Sequence, residues 1–101
     1  MCSLSTSTVK HSGKHFSKVT IINNELGLHA RPAAMIAKLA ANAKADIYIC
    51  KNENQADASS IIDILTLACS QGSKVTVKID NMQDVDILDR IIDLIEKGFG
   101  E

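Results

Sequence analysis

Residues 74–80 (KVTVKID) alternate without a fault, Val75, Val77 and Ile79 against Lys74, Thr76 and Lys78. That period of two means a strand with one dry face and one wet face. A chain whose clearest strand is one-sided is expected to build an antiparallel sheet with its helices gathered on a single side. Residues 17–22 (SKVTII) read the same way, with Val19 and Ile21 on the inward face, and residues 46–51 (DIYICK) with Ile47 and Ile49 inward. A short strand near 54–57 completes a set of four, which is more stable than three.

Helical periodicity fills the gaps. Residues 30–43 (ARPAAMIAKLAANA) consist of strong helix formers, with Ile36, Leu39, Ala40 and Ala43 on one stripe. Residues 61–70 (IIDILTLACS) predict a nearly all-apolar helix stopped by Gly72. Residues 84–97 (DVDILDRIIDLIEK) predict a third, with Val85, Leu88, Ile91, Ile92 and Ile95 inward. Asp84 and Asp86 suit its positive N-terminal end, and Gly98 its C-terminal end. The expected order is βαββαβα: an α+β fold, an open-faced β-sandwich of four antiparallel strands covered on one face by three helices.

Residues 1–15 are polar and aperiodic and read as a flexible N-terminal tail, so the expected domain is 16–101. His11 and His15 stand four apart there, which is ligand spacing only on a helix, and nothing makes that segment helical. The formal net charge of −1 lacks the cationic footprint of a nucleic-acid binder. No apolar run approaches the ~18 residues that span a bilayer, and the first 15 residues carry no secretory apolar segment. A cytoplasmic protein with no membrane insertion is expected. Cys2, Cys50 and Cys69, odd in number and not closely paired, read as free thiols in a reducing compartment.

The chemistry is concentrated in residues 23–34, NNELGLHARPAA. A strand ends, Gly27 permits a turn, and a helix begins just after His29. Pro32 suits the first helical turn, where its missing N–H has no intrahelical partner to lose. His29 is thereby set at or near the N-cap, beside the unsatisfied N–H groups of Ala30 and Arg31 and the positive end of the dipole. Phosphate is welcome at such an end. The same field opposes protonation of the imidazole and keeps a ring nitrogen nucleophilic. Arg31 adds a permanent cation that reaches phosphate oxygens. A histidine in this place is also often a plain helix cap. No second ligand stands at metal spacing nearby, and there is no Walker loop, glycine-rich cradle or nucleophile elbow. Any phosphate must come from another protein.

Gly27-Leu28-His29-Ala30-Arg31-Pro32-Ala33 resembles the active-site signature of HPr, the histidine phosphocarrier of the phosphoenolpyruvate-dependent phosphotransferase system. Ser60-Ile61-Ile62-Asp63-Ile64-Leu65 resembles the family's regulatory serine segment at its spacing from the histidine. The resemblance covers about residues 16–101 and implies the same open-faced sandwich. It implies that His29 is phosphorylated on Nδ1 (a pros-phosphohistidine) by enzyme I and passes the group to an enzyme IIA. Arg31 would steady the phosphate, with Ala30 and Arg31 offering backbone N–H groups. Ala34, Ile61, Ile62 and Leu65 would form the apolar docking surface, although on sequence alone those isoleucines are equally candidates for core. Ser60 has two compatible readings: an N-cap paired with Asp63, and the serine that an HPr kinase/phosphorylase modifies.

The expected protein is a monomeric carrier, consumed and regenerated stoichiometrically, not a free-standing enzyme, and with no cofactor. Sugar uptake or its regulation competes with a nitrogen-related phosphorelay, whose branch is resembled by Leu26, by Gly98-Phe99 and by the charge of Asp63 beside the docking patch. A third alternative is a binding-only regulator controlled at Ser60. The retention of both His29 and Arg31 argues against it.

Overall fold

A computed structural model describes residues 16–101. The tail, with Cys2, His11 and His15, lies outside the described residues. Four strands, β1 (Phe16–Ile21), β2 (Ile47–Lys51), β3 (Asn54–Asp57) and β4 (Lys74–Ile79), form one antiparallel sheet in the order β1-β4-β2-β3. Three helices, α1 (Ala30–Ala40), α2 (Ile61–Thr66) and α3 (Val85–Glu96), complete the expected βαββαβα order. The open-faced α+β sandwich is therefore the fold.

The core lies between the sheet and the helices. Ile47 and Ile49 from β2, Ala56 from β3 and Val75, Val77 and Ile79 from β4 meet Ile36, Ala40, Leu88, Ile91 and Ile95 there. The register explains the alignment: Ile49 stands opposite Val77 on one side and Ala56 on the other, so the inward residues of three strands fall in rows. Val85, Leu39 and Ala43 are only partly buried at the margins of this core.

Strand β1 departs from expectation. Val19 and Ile21 share a face, but it is the open one, and they remain 59% and 46% exposed. The inward side of β1 carries Thr20, which is buried, and Lys18, whose Nζ reaches Asp89 of α3 at 2.6 Å. A lysine can serve an inner face at a sheet edge because its stem packs while its ammonium reaches outward to a carboxylate. Apolar alternation alone then points to the wrong side.

Helix boundaries differ for tertiary reasons. Helix α1 stops at Ala40, where the chain tightens into short-range turns through Asn42 and Ala43. Helix α2 stops at Thr66 rather than residue 70, because Ala68 turns into the left-handed region (φ 52°) and Cys69 is drawn into a bond with another loop. Asp84 does not cap α3 with its side chain. It turns inward, 1% exposed, and accepts hydrogen bonds from the backbone N–H groups of Lys44 (2.8 Å) and Ala45 (3.1 Å). The α1–β2 connection is thereby pinned to the start of α3. Cys69 is a buried free thiol, whereas Cys50 is disulfide-bonded, which corrects the reading of three free thiols.

The role of Asp84 can be tested directly. Asp84→Ala strands two amide donors in the interior and should lower the unfolding free energy by about 2–3 kcal/mol in urea denaturation. A change below about 0.5 kcal/mol would mean that the Asp84 bonds do not hold the connection.

Candidate functional site

Thr20 and Ile22 carry the chain out of β1 into the turn at 23–28, and this turn is tied down from several sides. Ile22 donates to Ser73 and accepts from Gly72, at 2.9 and 2.7 Å. The Asn23 side chain donates to the Glu96 carbonyl at the end of α3 (2.9 Å), and its own carbonyl accepts from the Gln71 side chain (3.1 Å). Asn24, 5% exposed, bridges back to the Gly27 carbonyl through Nδ2 (2.7 Å). The Gly27 N–H closes a turn onto the Asn24 carbonyl at 3.1 Å.

Gly27 is required twice over. Its φ is +69°, and a Cβ there would stand 2.3 Å from the Cys69 carbonyl oxygen and 2.8 Å from the Ser70 Cα. The close approach lets Leu28 N–H bond the Cys69 carbonyl at 2.8 Å. Leu28 buries its side chain and His29 comes directly after it.

His29 is the N-cap of α1, with extended backbone (φ −98°, ψ −168°) and no side-chain capping bond. Its carbonyl accepts from Ala33 at 3.0 Å and starts the helix. Of the three residues between, Pro32 has no N–H, which leaves those of Ala30 and Arg31 as the first-turn donors without an intrahelical acceptor. The expected constellation of His29, Ala30, Arg31 and the positive helix end is brought together at one place. Ala30 and Arg31 are exposed, and His29 keeps about a third of its side-chain surface open.

The His29 ring does not cap because it is held elsewhere. Nε2 lies 2.9 Å from Oε2 of Glu101, which comes just after the short 3-10 turn Gly98–Gly100. The other oxygen of the same carboxylate accepts from Asn24 Nδ2 at 3.0 Å. The Asn24 bond, then the His29 bond and the nearby charge of Arg31, hold the Glu101 carboxyl below the usual carboxylate range. An ionised carboxylate only accepts, so its partner nitrogen on the ring carries the hydrogen. In the neutral ring the lone pair is then on Nδ1. Asn24 Oδ1 is buried with no hydrogen-bond partner among the described residues.

Neither Asn24 nor Glu101 is conspicuous in the sequence. Glu101 sits 72 residues from His29, and no local pattern links them. The repeated Asn23-Asn24 before the Gly27 turn was the available signal, since asparagine side chains commonly stabilise turns.

The other predicted residues form a second surface. Ala34 is exposed on α1, and Ile61, Ile62 and Leu65 of α2 are 40%, 71% and 38% exposed, while Ile64 supplies the buried side of that short helix. Ile61 and Ile62 are thus surface and not core. Leu26, in the turn before His29, is 70% exposed. Ser60 is the N-cap of α2, its Oγ accepting from Asp63 N–H at 3.2 Å. No described helix is long and apolar enough to cross a membrane, and no group of three metal-ligating side chains occurs among the described residues.

Comparison with known proteins agrees with this geometry. The family model described as the PTS HPr component phosphorylation site matches residues 16–97. Phosphocarrier protein HPr of Cupriavidus necator is 39% identical over 82 residues, covering 81% of this chain and 92% of the relative. Phosphocarrier protein NPr of Shewanella violacea is 40% identical over 85 residues, covering 83% and 91%. The crystal structure of HPr-C-His from Thermoanaerobacter tengcongensis superposes with a TM-score of 0.80 at 34% identity, over 85% of this chain and 97% of that one. The chain belongs to the HPr family of phosphocarrier proteins.

Proposed function

We propose that His29 is the residue through which this phosphocarrier works, taking a phosphoryl group on Nδ1 from phospho-enzyme I and delivering it to an enzyme IIA. The observation that carries the reading is the 2.9 Å contact of Nε2 with Glu101 at the N-terminus of α1. With that nitrogen engaged, the nucleophile is Nδ1. Its lone pair forms the bond to phosphorus as the bond to the donor's leaving atom breaks. The phosphorylated ring retains its hydrogen on Nε2 and gains positive charge, which the Glu101 carboxylate opposes directly. Ala30 and Arg31 N–H groups and the Arg31 guanidinium receive the phosphoryl oxygens. The reverse step regenerates the carrier, so the protein is a stoichiometric intermediate rather than an enzyme, and it needs no cofactor.

Ala34, Ile61, Ile62 and Leu65 are the proposed docking surface for these partners, presented by a monomer in the cytoplasm. An exposed apolar group of this kind is costly to leave wet and suits transient burial against a partner. The exposed Leu26, ahead of His29, favours a second reading within the same chemistry: a regulatory nitrogen-branch relay rather than sugar uptake. Ser60, between the docking isoleucines and Asp57, is a proposed regulatory site for an HPr kinase. Phosphate there would repel an acidic partner surface.

Two experiments test these assignments. Incubation with phosphoenolpyruvate and enzyme I of the sugar or nitrogen type should give an acid-labile phosphate that His29→Ala abolishes. Labelling by neither donor, or persistent labelling of His29→Ala, contradicts the reading, and the faster donor identifies the branch. ATP with HPr kinase should give an acid-stable phosphate absent from Ser60→Ala; if wild type remains unmodified, the regulatory role of Ser60 fails.

A further inference from the structure

Lys51 closes β2 and points its ammonium at the far end of α2. Its Nζ donates to the Ala68 carbonyl at 2.9 Å and to the Leu67 carbonyl at 3.4 Å. These are carbonyls at a helix C-terminus, where the dipole is negative and acceptors lack intrahelical donors. The turn they belong to is strained. Ala68 holds φ +52°, in the place just past a helix where glycine is the usual occupant. Ala68 is exposed, so packing of its own side chain does not enforce that conformation.

The next residue is Cys69, whose carbonyl accepts from Leu28 N–H at 2.8 Å and lies against Gly27 at a distance that excludes any Cβ. The position of Gly27, Leu28 and hence His29 is inherited from the path of residues 68–70. Lys51 itself is fixed by the sheet, paired with Asn54 across the β2–β3 hairpin.

We infer that Lys51 is a positioning residue for His29: its bonds to the Leu67 and Ala68 carbonyls hold the left-handed turn after α2, and that turn holds the backbone carrying the histidine. The effect on phosphotransfer rests on the phosphocarrier reading; the effect on the backbone does not. Lys51 does not touch the reacting atoms. Its contribution is to keep a non-glycine residue in a glycine conformation, so removing the strain should make the lysine dispensable.

The test is a double-mutant cycle in the full chain, using Lys51→Met, which keeps the stem, and Ala68→Gly, which removes the strain. Native-state amide exchange of Leu28 should quicken about fivefold in Lys51→Met, while Ile49 and Val77 in the sheet stay unchanged. With enzyme I and phosphoenolpyruvate, kcat for phosphorylating the carrier should fall about fivefold with KM unaltered. Lys51→Arg should stay within about twofold of wild type, and Lys51→Met/Ala68→Gly should recover both readouts. Unchanged Leu28 exchange in Lys51→Met overturns the inference, as does equal loosening of Ile49 and Val77 or a double variant no better than Lys51→Met. If wild type accepts no phosphate, the phosphocarrier reading fails, and Leu28 exchange still decides whether Lys51 holds the turn.

Discussion

The bond between Leu28 N–H and the Cys69 carbonyl joins the two halves of this molecule at the point where its chemistry is proposed to occur. One partner lies just before α1 and the other just after α2. The bond forms only because Gly27 has no Cβ to strike the Cys69 carbonyl. Several features are consequences of it. Helix α2 is cut short so that Cys69 can turn toward the loop, Ala68 takes a left-handed conformation to make that turn, and α1 starts where His29 emerges from it. A backbone-to-backbone tie is well suited to the purpose, since it fixes the main chain without committing a side chain the site needs.

From that fixed point the site requires few residues. A helix end supplies donors and a positive field, and the exposed Arg31 adds a cation. The ring is oriented by a carboxylate from the other end of the chain, itself steadied by a buried asparagine. In the proposed reading the division of labour is physical: the helix end is matched to the phosphoryl oxygens, and Glu101, 2.9 Å from His29 Nε2, to the charge that develops on the imidazole. The exposed isoleucines of α2, Ile61 and Ile62, lie outside this machinery and form part of the proposed docking surface.

Much of this is legible in the chain, for reasons that differ by element. Strand β4 is plain because it lies inside the sheet between β1 and β2, with the helices covering one of its faces and the other open, so its residues alternate cleanly. The His29 segment is legible because glycine, proline and a helix start impose local constraints that a short window captures. Strand β1 is an edge, and with Lys18 and Thr20 inward its period is right but its face is inverted. The end of α2 depends on Cys69 meeting Leu28, and the roles of Asp84, Asn24 and Glu101 depend on partners tens of residues away. Long-range contacts leave no periodic mark. The sequence therefore declares where the histidine sits and is silent on what aims it.

The aim of the ring is the central physical claim, and long-range proton–nitrogen NMR of the unphosphorylated full chain reads it directly. At alkaline pH, where an imidazole is neutral, the two nitrogens of His29 report which one bears the hydrogen. The geometry predicts a protonated Nε2 facing Glu101 and a bare, pyridine-like Nδ1. A hydrogen on Nδ1, or an even mixture of the two tautomers, would contradict it.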